Sequence, residues 1–122
     1  MKREVIKETS SFFNKTEALS LMDNDEELFK EIVELFIENC PVWTKELKEA
    51  VENNDALRIE EISHKLKSAL RSIIAVPAQE KAHELEKIGF SKDLTNAGET
   101  FKTLEENINS LINELDKHIR EK

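Results

Sequence analysis

Tyrosine is absent from this sequence, and glycine, proline and cysteine number only two, two and one. So few turn-formers leave little room for the hairpins of a β-sandwich or barrel, and little strand is expected. The lone Cys40 has no partner for an intrachain disulfide, which fits a reducing, cytoplasmic setting. No run approaches the roughly 18 continuous apolar residues of a membrane span. The opening MKREVIKETSSFF is basic but lacks the apolar stretch of a secretory signal. Basic clusters are missing as well. The net charge is −8, and nucleic-acid affinity rests on Lys and Arg displacing counterions, so nucleic acid is not an expected partner. Neither a glycine-rich loop nor GxxxxGK occurs, so the chain is not expected to be an ATP-dependent kinase in its own right.

What remains is a soluble chain of 122 residues, the size of one domain with one core. Hydrophobic residues make up 39% and charged residues 36%, the balance of long helices with a wide solvated face. Residues 1–15 lack a clean period and read as a lead-in segment or linker, with the domain proper over 16–122. TEALSLM (16–22) suits a short helix. Asp23, followed by Glu26, is the expected cap of a long helix whose apolar series is Leu28, Phe29, Ile32, Val33, Phe36, Cys40, Trp43, Leu47 and Ala50. Pro41 interrupts that series, but the stripe continues on both sides, which predicts one bent helix rather than two.

After the turn and cap in NND (53–55), Ile59, Ile62, Leu66, Ala69 and Ile73 step by threes and fours. Pro77 suits the first turn of the next helix, with Ala78, Ala82, Leu85 and Ile88 inward and Gly89 as its expected C′ residue. A last helix carries Phe101, Leu104, Ile108, Leu111, Leu115 and Ile119. Short connections make neighbours antiparallel. The predicted fold is all-α, an up-down-up-down four-helix bundle with a short accessory N-terminal helix.

One stretch stands out chemically: EEISHKLKSALRS, residues 60–72. His64 shares a helix face with Glu60, Lys67, Ser68 and Arg71, while the apolar Ile62 and Leu66 lie about 160° around. The imidazole should therefore face solvent, followed by two cations and a hydroxyl. A phosphoryl group on the ring would carry nearly two negative charges, which Lys67 and Arg71 can offset. One such contact at about 4 Å contributes at most about 4 kcal/mol before screening. Imidazole as a class is a competent nucleophile near neutral pH. A lone surface histidine beside lysines is also ordinary decoration, and spacing alone leaves the choice open.

The chain resembles the histidine-containing phosphotransfer (HPt) domains of two-component phosphorelays, over about residues 17–115. DNDEELFKEIVELFIENCPVWTKELKEAVENNDALRIEEISHKLKSAL is similar to that family's layout: an acidic start, a long helix with a central proline, a turn with Asp, then A-H-x-L-K-[GS]. KAHELEKIG resembles its following LE stretch. The resemblance sets His64 on the phosphorylated histidine, Lys67 on the lysine one turn later, and Glu86 on a Glu or Gln near the imidazole. Glu86 thus either orients the ring or merely solvates its helix. Ser63 stands for the usual alanine, Ser68 where glycine is commonest, and Ile74 where glycine is frequent.

The implied function is a phosphocarrier that accepts a phosphoryl group on His64 from receiver-domain phosphoaspartate, or from a hybrid sensor kinase, and passes it to another response regulator. It implies no cofactor of the chain's own, with Mg²⁺ on the partner receiver, and a monomer. Phe12, Phe13, Leu21 and Met22 are candidates for docking or for ordinary packing. The alternative is a phosphorylation-independent helical module that binds receiver or kinase domains; a structural bundle or coiled-coil adaptor comes third. His83 reads as a boundary residue and His118 as solvated, and three scattered histidines offer no i,i+4 metal pair. Cys40 and Trp43 read as core.

Overall fold

The computed structural model describes residues 12–120. Among them are five helices: α1 Lys15–Leu21, α2 Glu26–Glu52, α3 Ala56–Ser72, α4 Val76–Ser91 and α5 Ala97–Arg120. Helices α2 to α5 pack in a closed ring, each against the next and α5 back against α2. This is the predicted four-helix bundle with its short accessory helix. Of the segment read as a lead-in or linker, residues 1–11 lie outside the described residues. Phe13, by contrast, is buried in the core, and Asn14 caps α1 through its side chain.

The apolar stripes meet in a single core. Phe29, Val33, Phe36, Cys40, Leu47 and Ala50 of α2 pack with Ile59, Ile62 and Leu66 of α3, Ala78, Ala82 and Leu85 of α4, and the α5 series from Phe101 to Leu115. Leu28 departs from expectation and is exposed. Leu70, absent from the predicted stripe, is fully buried because α3 packs against both α2 and α4, which widens its apolar face. Trp43 is half-buried rather than core, with Lys65 Nζ 5.7 Å from its ring centroid. Pro41 sits inside α2 without dividing it. Cys40 is buried, and that burial pushes its thiol up to about 11, so it packs rather than reacts.

The helix ends correct two local expectations. The cap of α2 is Asp25, whose Oδ1 accepts from the Leu28 N–H at 3.0 Å. Asp23 and Asn24 instead take left-handed φ of 57° and 58°, which these two residue types tolerate, so the helix starts after them. Asp55 caps α3 as predicted, accepting from Arg58 N–H. Helix α4 runs past Gly89 to Ser91, and the left-handed residue that ends it is Lys92. Gly89 serves a different purpose. A Cβ there would lie 2.7 Å from both the Ala56 carbonyl oxygen and the Glu60 nitrogen, so its missing side chain lets α3 and α4 touch backbone to backbone.

Helix α1 closes one end of the bundle. The Asn14 N–H donates to the Ile74 carbonyl at 3.1 Å, Lys15 pairs with Glu26 at 3.6 Å, and the Phe13 ring meets the His118 ring edge-on at 5.2 Å. His118 is thus exposed, as predicted, but not free of packing. Ile74 lies in the α3–α4 turn at φ 54°, beyond the end of α3. A β-branched residue there is strained by about 1–2 kcal/mol, which accounts physically for glycine suiting that place.

Candidate functional site

His64 stands in the middle of α3 with its side chain 62% exposed, while Ile62 and Leu66 beside it are buried. Sequence periodicity placed it correctly. The tight α3–α4 contact at Gly89 brings the two helices together one turn from Glu86, and Glu86 crosses to α3. Its Oε2 lies 2.8 Å from His64 Nδ1, and its Oε1 lies 2.7 Å from Lys67 Nζ. The carboxylate thus touches both the ring and the lysine one turn later, rather than only facing solvent from its own helix.

That bond decides which ring nitrogen is left open. With Nδ1–H donating to the carboxylate, the neutral imidazole carries its lone pair on Nε2. Nε2 has no hydrogen-bond partner among the described residues. Glu86 is four-fifths buried, and partial burial alone would raise its pKa. The Lys67 and His64 contacts outweigh burial and hold its carboxyl below the usual glutamate value.

The other expected site residues divide. Ser68 and Arg71 are exposed on the His64 side of α3, as the spacing requires, and both lie off the Glu86 network. Lys67 does share the face but is only 16% exposed and spends its charge on Glu86 rather than standing free beside His64. Ser63 is fully buried, and its hydroxyl has no partner, an orphan that alanine would not leave. Among the docking candidates Phe13 is excluded by its burial in the core, and Phe12 and Met22 are half-buried against the core. Leu21 remains, at 70% exposure.

Three features escaped the sequence reading. His83 Nδ1 lies 3.7 Å from Glu86 Oε1, so a second histidine borders the same carboxylate. The only signal was its place three residues before Glu86 in HELE. Leu57 and Phe90 are 64% and 73% exposed. Leu57 is two turns before His64 on the same face, and Phe90 is one turn after Glu86. Among the described residues no group of three His, Cys, Asp or Glu side chains is arranged to hold a metal, and no helix is long and apolar enough to cross a membrane.

The chain resembles histidine-containing phosphotransfer protein B (HptB) from Pseudomonas aeruginosa PAO1, with a TM-score of 0.84 at 16% identity over 91% of this chain and 96% of that one. It also resembles the HPT domain of an Hpt sensor hybrid histidine kinase from Shewanella, with a TM-score of 0.79 at 16% identity over 90% and 95% of the two chains. At such identity these likenesses establish the fold. No curated protein matches the sequence. Residues 31–118, most of the chain, match the family model described as Hpt domain, and they contain His64, Lys67 and Glu86. The chain belongs to the Hpt domain family, the histidine phosphotransfer carriers that work with receiver and kinase domains in phosphorelays.

Proposed function

We infer that His64 is the phosphoryl acceptor of this carrier and that Nε2 is the atom that takes the group. The observation that carries this reading is the exposed ring whose Nδ1 is tied to Glu86 at 2.8 Å. A receiver domain bearing phosphoaspartate docks over the His64 face. The Nε2 lone pair forms the N–P bond as the P–O bond to the aspartate breaks, and the aspartate carboxylate leaves. Transfer to a second receiver runs the same step in reverse. Glu86 fixes the ring so that no rotation need be frozen at the moment of attack.

Lys67 stabilises the transferring phosphoryl group, turning toward it from Oε1 of Glu86. Arg71 lends a more distant positive charge, and small, exposed Ser68 lets the partner approach. Mg²⁺ belongs to the receiver's own acidic site, and this chain supplies no cofactor. Leu57 and Phe90, both toward the Gly89 contact from the ring, offer exposed apolar surface for the docked receiver. The charge of −8 supports protein rather than nucleic-acid partners, and the lone cysteine fits a reducing, cytoplasmic setting.

Incubation with a receiver carrying radiolabelled phosphoaspartate tests the reading. Acid-labile, alkali-stable label on the wild-type chain and none on His64→Gln is the expected result. Label that persists on His64→Gln moves the acceptor elsewhere and overturns it.

A further inference from the structure

We propose that His83 is a positioning residue that replaces Lys67 at Glu86 when His64 is phosphorylated, so that phosphorylation draws a proton onto His83. The inference rests on His64 being the acceptor. It starts from one carboxylate oxygen: Glu86 Oε1 has Lys67 Nζ at 2.7 Å and His83 Nδ1 at 3.7 Å. The first is an occupied ion pair and the second is about half an ångström beyond hydrogen-bond reach.

A phosphoryl group on His64 Nε2 brings close to two negative charges within reach of the Lys67 stem, and a lysine ammonium on a flexible chain can follow them. Glu86 then keeps the Nδ1–H of His64 on Oε2 but loses its cation on Oε1. Leaving a carboxylate only 19% exposed without that partner is costly. His83, one turn earlier on α4 and half-exposed, needs only a small ring movement to fill the gap, and it fills it best as an imidazolium.

The surroundings are balanced enough for the phosphoryl group to decide. His83 lines a cleft of about 340 Å³ between α3 and α4. Lys67 and Arg71 face it from α3, and Glu80, Glu84 and Lys87 from α4, with Glu86 adjoining. Acids and cations there nearly offset one another, so added negative charge, with Lys67 turned away from Glu86, favours the protonated ring. The proton comes from solvent and returns when the N–P bond breaks on transfer to the next receiver. The phosphoryl transfer itself is unaltered: Nε2–P forms, aspartyl O–P breaks, and the ring proton on Nδ1 stays.

Ring ¹⁵N spectra of the full chain at pH 7.5, before and after phosphorylation by a phosphoaspartate-bearing receiver, test this. The His83 nitrogens should move toward imidazolium positions in the wild type and stay in place in Glu86→Gln. His83→Gln should reduce the fraction of chain phosphorylated at equilibrium with the receiver by about two- to five-fold, the scale of one partly exposed charge pair. An unmoved His83 in a chain phosphorylated on His64 overturns the inference alone. Equal movement in Glu86→Gln also overturns it, because His83 would then answer the phosphoryl group directly. A phosphoryl group on any residue but His64 overturns the proposed acceptor and this inference with it.

Discussion

Glu86 on α4 holds Nδ1 of His64 on α3 at 2.8 Å, although the two residues are 22 positions apart in sequence. One carboxylate thus joins the two helices at the candidate site and leaves Nε2 as the unbonded ring nitrogen.

The Glu86 carboxyl is held below its ordinary value of 4.5 by Lys67 and His64, despite partial burial that pushes the other way. The folded chain therefore binds this proton more weakly than the unfolded chain. Its contribution to stability is complete above the ordinary glutamate pKa and is lost as pH falls through the lower folded value. Urea unfolding between pH 6 and pH 3 should show a loss of wild-type stability below about pH 4.5 that is smaller in Glu86→Gln. Identical acid profiles would contradict it.

Gly89→Ala sets two effects against each other. In an open helix alanine gains about 1 kcal/mol over glycine. Here its Cβ meets backbone atoms of Ala56 and Glu60 at 2.7 Å, and backbone cannot swing aside. Overpacking of this kind costs about 1–3 kcal/mol, so the variant should be less stable by denaturant titration. It should also weaken the His64–Glu86 bond, visible in the ring nitrogen shifts of His64. A variant more stable than wild type would mean that the helices separate freely.

Ser63→Ala removes the buried, unpartnered hydroxyl beside His64. Because that group lost its water on folding without gaining a bond, the variant should be more stable by about 1 kcal/mol. Transfer should be unchanged, since Ser63 points into the core while His64 points out. A lower denaturant midpoint would contradict this account.

Lys67→Ala should slow phosphoryl transfer from a receiver by about 10- to 100-fold, the scale of one lost charge-assisted contact. The chain should still fold, because Lys67 lies at the edge of the core rather than within it. An unchanged rate would remove Lys67 from the transfer step.

Most of the bundle was legible because burial in a helix repeats every three or four residues. The series through Ile59, Ile62 and Leu66 faces inward as its spacing requires, and His64 faces out for the same reason. Local signals were weaker where two readings satisfy the same rule. Asp23 and Asp25 both precede a helical stretch, and only the left-handed backbone at 23 and 24 separates them. Gly89 looked like a helix end because glycine often is one, whereas its use depends on α3 backbone atoms lying 2.7 Å from where a Cβ would stand, a contact no local pattern encodes. The pairing of His64 with Glu86 is of that kind too. It was reached through family resemblance, and the engagement of Lys67 and the nearness of His83 followed only from the packed helices.

The most direct test of the account is the identity of the phosphorylated atom. Ring ¹⁵N and ³¹P spectra of the wild-type chain, phosphorylated by a receiver, should show a single N–P bond at Nε2 of His64, with Nδ1 still protonated toward Glu86. A phosphoryl group on Nδ1 of His64, or on His83, would contradict it.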